Sequence, residues 1–246
     1  MQNQSPARLD TILPSTALSR LSQMTSEQRS TLDEQEKARE QKATASRRAA
    51  CAAALATRMG RRYSRERSSL DAFRLDHRQQ VEAKATVANF IADYRFDLGV
   101  VLYGSVGTGK DHLLAALLYA AADGGLTASW VNGQEIYSRF RDAMDSKVSE
   151  ESIMRDFSTP DVLGISDPIP PVIDPAKPSA WRTELLFRVL ESRYRDCKST
   201  WITLNAQSPE DAERKLSEPV FDRLKHDAVL IPCFWPSFRE PAKGTP

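Results

Sequence analysis

From about residue 77 onward, apolar positions alternate between short continuous runs and helical stripes. Gly99–Tyr103, Thr127–Val131, Asp161–Ser166, Thr200–Asn205 and Ala228–Pro232 have the length and branched content of buried strands. Between them, helical spacing covers residues 77–94, with Val81, Ala85, Val87, Ala88, Phe90 and Ile91 as apolar members. It returns after Lys110 and over Gln134–Val148, Trp181–Asp196, Pro209–Leu216 and Glu218–Lys225. Gly124-Gly125 stops the helix that follows Lys110. Five prolines within 168–178 mark an irregular connector. Strands alternating with helices predict an α/β fold, a parallel five-stranded sheet with helices on both faces. Ligands of such sheets bind at the carboxyl ends of the strands.

The first sixty residues have a different pattern. Residues 25–58 predict one long helix, capped by Thr25 or Ser26 and rich in Glu, Gln, Lys, Arg and Ala. Its apolar bulk is scarce: Leu32, then an alanine patch from Ala49 to Ala56 with Leu55. Such a helix buries little and projects from the globular part. Ahead of it, Leu9, Ile12, Leu13, Leu18, Leu21 and Met24 share a loose helical face interrupted by Pro14. That stretch reads as a flexible tail or as a short amphipathic segment that docks in a partner's groove. The expected division is a helical, partner-binding extension over 1–60 and a nucleotide-binding domain over 61–246.

Charge sharpens this division. Residues 42–67 hold eight basic side chains and one acid, Glu66. Arg58, Arg61, Arg62, Arg65 and Arg67 surround Gly60 and suit either DNA phosphates or a solvated linker. Cys51, Cys197 and Cys233 lack zinc or redox-motif spacing, which predicts reduced thiols in a cytoplasmic protein. The start Met1-Gln-Asn-Gln-Ser lacks the pattern of a signal peptide, and no run reaches the length of a membrane span.

The chemistry centres on Gly104-Ser105-Val106-Gly107-Thr108-Gly109-Lys110, set between an apolar strand and an apolar helix. In that context the spacing is a P-loop. Glycines let successive backbone N–H groups curl around a phosphate, and the helix N-terminus adds partial positive charge. Lys110 supplies a mobile ammonium for the outer phosphates.

With these pieces in order, the chain from about Ser69 to Arg239 resembles an AAA+ ATPase, and more narrowly the DnaC-type helicase loaders and IstB-like transposition helpers. Arg62-Tyr63 with Leu70-Asp71-Ala72-Phe73 is similar to the segment that leads into the family's core. Gly104–Lys110 with Asp111-His112-Leu113 resembles its Walker A loop, and Thr203-Leu204-Asn205 its sensor 1. Asp222-Arg223-Leu224 resembles the arginine-finger segment, and Trp235-Pro-Ser-Phe-Arg239 the sensor 2 end.

The resemblance implies ATP and Mg²⁺ as cofactors. It implies that Gly104–Lys110, Asp111, His112 and Arg239 surround the nucleotide. Asn205 would orient the attacking water, and Arg223 would reach a neighbouring subunit's γ-phosphate. A local ion pair with Asp222 or Asp227 is the alternative for Arg223.

The acidic motif departs from the family. The residue after the P-loop lysine should be a Mg²⁺-binding Ser or Thr and is Asp111. The third strand should end in Asp-Glu. Without a gap, Ser166 takes the first place and Asp167 the second; shifted by one, Asp167 takes the first and Pro168 the second. Either way one carboxylate is absent, so binding is favoured over fast hydrolysis, with Asp111 and Asp167 as metal candidates.

The leading expectation is therefore a helicase loader. It would bind a replicative DNA helicase and single-stranded DNA, form ATP-dependent homo-oligomers and avoid membranes. A transposition helper acting with a transposase and a degenerate P-loop adaptor are the alternatives.

Overall fold

The computed structural model describes residues 25–144, 148–169 and 179–239. The loose apolar face over 1–24 and most of the proline-rich connector lie outside the described residues. Helix α1 spans Ser26–Met59. Thr25 caps it as the sequence predicts: its hydroxyl accepts from the Gln28 N–H, and the Gln28 side chain accepts from the Thr25 N–H. A 3₁₀ turn at Arg61–Tyr63 follows, then α2 (Arg78–Ala92). The strands are β1 (Gly99–Gly104), β2 (Ala128–Asn132), β3 (Val162–Ser166), β4 (Ser199–Leu204) and β5 (Ala228–Cys233). The helices among them are α3 (Lys110–Asp123), α4 (Gly133–Met144), α5 (Glu150–Ser158), α6 (Ala180–Arg195), α7 (Pro209–Leu216) and α8 (Glu218–Lys225).

The sheet is parallel throughout, in the order β2-β3-β4-β1-β5. Alternate strand residues point to opposite faces, and two apolar clusters result. Val100, Leu102, Trp201 and Ile231 pack under α2 and α3, together with Leu55 and Met59. Val101, Leu163, Ile165 and Ile202 pack under α4 to α8. Strands buried on both faces explain the unbroken apolar runs.

Two features differ from the expectation. The compact unit holding the sheet begins at Arg48, because Leu55 and Met59 at the end of α1 are buried in its core. The alanines before them leave room for that close approach. Helix α5, absent from the sequence reading, is signalled by its own chemistry. Ser149 accepts from the Ser152 N–H, two acids fill the first turn, and Ile153 and Phe157 bury one face.

Among the buried polar residues, one is an arginine. Arg193 of α6 is fully buried and donates to the carbonyls of Phe157, Pro160, Asp161 and Ser199 and to the Thr200 hydroxyl. It satisfies the backbone groups where β3 and β4 begin, at the end of the sheet opposite the P-loop. Burial lowers its pKa to about 10.

Candidate functional site: a phosphate loop with a hydroxyl-caged carboxylate

β1 is a central strand and ends in the glycine loop. Gly104 takes φ 146°, and a Cβ there would lie 2.1 Å from the Cys233 carbonyl oxygen. Gly109 is left-handed at φ 85° and opens α3. Both positions therefore require glycine. The loop is held from behind by the chain's last described segment. The Trp235 indole donates to the Thr108 carbonyl at 2.9 Å, and the Phe238 N–H donates to the Gly107 carbonyl at 2.9 Å. Phe73 meets His112, Trp235 and Phe238 edge to face, tying the segment before α2 to the same place.

A cleft of about 510 Å³ opens at this end of the sheet. Val106–His112, Asp167, Thr203, Asn205 and Arg239 line it, with Arg62, Tyr63, Arg67, Phe73 and Arg74 on the leading segment. The sequence-predicted residues thus converge from β1, β3, β4 and the C-terminal segment. Lys110 is only 7% exposed and donates from Nζ to the carbonyls of Gly104 (3.1 Å) and Ser105 (2.7 Å). Burial lowers its pKa, opposed by Cys233, Asp111 and Asp167.

His112 stands in the wall of the cleft. Its Nε2 lies 2.8 Å from the Ser69 carbonyl, so that nitrogen carries the proton, and burial lowers the ring's pKa. The ring anchors the leading segment from the wall of the cleft.

The acidic motif resolves into a cage. Ser166 ends β3 in register with Thr203 of β4. Their hydroxyls donate to Oδ1 of Asp111 at 2.9 and 2.8 Å, and the Tyr63 hydroxyl donates to Oδ2 at 3.2 Å. Ser166 thus faces the residue after the P-loop lysine, and Asp167 comes next. Asp167 takes φ 44°, and its backbone N–H donates to Thr203. Its Oδ2 accepts from the Asn205 amide at 2.5 Å, while Oδ1 is buried without a partner among the described residues. Burial first, then the Asp111 charge, pushes its pKa up to about 6.

Arg223 does not line this cleft. Its Nε pairs with Glu191, its Nη1 donates to the Pro219 carbonyl, and its guanidinium lies over the Phe187 ring. Asp222 and Asp227, the partners weighed from sequence, pair instead with Lys225 and His226.

Tyr63 and Thr203 also reach the site, although no motif in the sequence gives either residue a role. The alternation that puts Thr203 beside Ser166 becomes visible only once the strand register is fixed. Among the described residues, no cluster of three or more His, Cys, Asp or Glu gathers, and no helix is long and apolar enough to cross a membrane. The three cysteines are free thiols.

The chain as a whole is similar to known proteins. The replicative helicase loader DnaC of Escherichia coli K12 is 24% identical over 190 residues, covering 76% of this chain and 75% of that protein. A crystal structure of the DnaC helicase loader matches with a TM-score of 0.61 at 23% identity, covering 71% of this chain and 99% of that one. The replication initiator DnaA bound to AMPPCP and single-stranded DNA matches at a TM-score of 0.55 and 17% identity, over 68% of this chain and 50% of that one. The fold is the AAA+ core. The family described as IstB-like ATP binding protein matches residues 8–244, nearly the whole sequence, so this chain is an ATP-binding protein of the IstB-like family.

Proposed function

We propose that this chain is an ATP-dependent loader of a replicative DNA helicase that turns ATP over slowly. The observation that supports it most is the cleft itself. The P-loop, Lys110, Asp167, Asn205 and Arg239 come from four separate parts of the chain to one end of the sheet. The backbone amides of Gly104–Lys110 and the Lys110 ammonium hold the phosphates, which requires Lys110 to leave the Gly104 and Ser105 carbonyls. Arg239 contacts the nucleotide from its own chain. Asp167, held by Asn205, stands where an attacking water needs a proton acceptor, and Asn205 orients that water.

A divalent cation fits this place. Asp111, Asp167 and the surrounding hydroxyls offer oxygen only, and Asp167 Oδ1 lacks a partner among the described residues. Asp111 and Asp167 would hold Mg²⁺, which neutralises charge on the β- and γ-phosphates when bound. Asp167 is one methylene shorter than the glutamate that the family resemblance leads one to expect, which supports slow hydrolysis.

Residues 1–60 carry the helicase contact, and the basic stretch Arg58–Arg67 meets single-stranded DNA. The relative named a replicative helicase loader and the DnaA complex with single-stranded DNA support these assignments. A transposition helper with the same ATP chemistry is the second reading, favoured by the family description. Pull-down by the full chain against a purified replicative helicase and, separately, a transposase decides between them. ATP turnover with and without single-stranded DNA tests the rest. Capture of the transposase alone, or turnover at ordinary AAA+ rates without DNA, would overturn the loader reading.

A further inference from the structure

Asp111 and Ser166 face each other across the P-loop, and each has the side chain that the AAA+ resemblance assigns to the other. The resemblance calls for a hydroxyl after the P-loop lysine and a carboxylate at the end of the third strand. Here the carboxylate is on α3 and the hydroxyl on β3. Ser166 is 3% exposed and donates to Asp111 Oδ1 at 2.9 Å. One carboxylate and one hydroxyl are retained, and here the hydroxyl donates to the carboxylate.

We propose that this reciprocal exchange preserves the cation site, with Asp111 as the carboxylate ligand and Ser166 as its hydroxyl partner. The proposal rests on reading the cleft as a nucleotide site. Three observations carry it. Asp111 sits in the first turn of α3, where the helix dipole favours an anion. Three hydroxyls, from Tyr63, Ser166 and Thr203, hold its two oxygens in place, so the carboxylate is fixed on the sheet side of the loop. The adjacent Lys110 does not neutralise it by contact, because its ammonium donates to the Gly104 and Ser105 carbonyls instead. A carboxylate that is ordered and near the phosphates, without an ion pair among the described residues, is a ligand awaiting a hard cation. A charge placed only to disturb phosphate binding would need no such cage.

The exchange is tested by moving the carboxylate back. A fluorescent ADP analogue is titrated into the full-length protein in EDTA and again in millimolar Mg²⁺, and the ratio of the two affinities is read. In parallel, Mn²⁺ bound in the presence of ADP is counted by electron paramagnetic resonance. The wild type should bind more tightly with Mg²⁺. Asp111→Thr should lose about tenfold of that gain, and so should Asp111→Asn, which keeps the side chain's shape. Asp111→Thr combined with Ser166→Asp should regain both the gain and the bound Mn²⁺. Retention of the full gain in either single variant overturns the exchange, as does a folded double variant no better than Asp111→Thr. If the double variant does not fold, Asp111→Asn decides. Failure of the wild type to bind nucleotide under either condition is a different result: it removes the nucleotide reading, and the exchange falls with it.

Discussion

Trp235 donates its indole N–H to the carbonyl of Thr108 across 127 residues of chain, at 2.9 Å. The indole is 3% exposed, and Phe73 meets it edge to face. This bond fixes the phosphate loop from the side away from the cleft, so loop shape depends on the chain's last described segment. Trp235→Phe keeps the ring and removes the donor, leaving a buried carbonyl unpaired. The cost should be about 1 kcal/mol, seen as a fall in melting temperature of about 2–4 °C. Nucleotide affinity should drop with it. An unchanged melting curve would show that the loop does not need this anchor.

Lys110 gives the most direct test of nucleotide binding. Its ammonium is buried and already bonded to the two carbonyls that open the loop. Lys110→Ala removes a charge-assisted contact of about 1.5–3 kcal/mol. Affinity for a fluorescent ATP analogue should fall about 10- to 100-fold. Equal affinity of variant and wild type would end the assignment of the loop.

Much of this site was legible because its signals are local. The glycine spacing, the apolar strand before it and the helix after it lie within twenty residues. The three inner strands stood out for the same reason: burial on both faces leaves nearly unbroken apolar runs. What the sequence left open was set by contacts distant along the chain. Which residue of the acidic motif faces Asp111 could not be read until β3 lay beside β4, where Ser166 meets Thr203 and both turn to Asp111. The compact unit's edge at Arg48 escaped for an energetic reason. A helix with few bulky residues reads as solvated, yet Leu55 and Met59 alone suffice to hold its end in the core. Glu191 was invisible as the partner of Arg223 because 32 residues and two elements separate them.

Arg193 was also invisible, since an arginine in an amphipathic helix reads as exposed. Its burial against four carbonyls and one hydroxyl makes it a stability residue. Arg193→Met fits the space but takes the guanidinium donor away from all five groups, of which the Asp161 carbonyl keeps the Ser199 N–H. The loss should be about 3 kcal/mol, or about 6–12 °C in melting temperature. Circular dichroism melts measure it. A loss below a degree would mean that water replaces the guanidinium easily, and that the start of β3 and β4 does not depend on it.

The trans-acting role that the family resemblance implies for Arg223 predicts assembly. The guanidinium is absent from the lining of its own chain's nucleotide cleft, so any contact with a γ-phosphate must come from another subunit. In a head-to-tail arrangement the interface is heterologous and repeats around a ring or spiral. In that arrangement Phe187 and Glu191, which stack on and pair with the guanidinium, would have to release it to a phosphate of higher charge. ATP with single-stranded DNA should promote oligomers of the wild type, and ADP should not. Arg223→Ala should abolish both ATP-dependent assembly and DNA-stimulated turnover. Glu191→Gln, which weakens that pairing, should favour assembly at lower ATP concentration. Light scattering with a non-hydrolysable ATP analogue reads all three proteins. If Arg223→Ala assembles like the wild type, the side chain is a surface ion pair within its own chain, and the trans-acting role must be dropped.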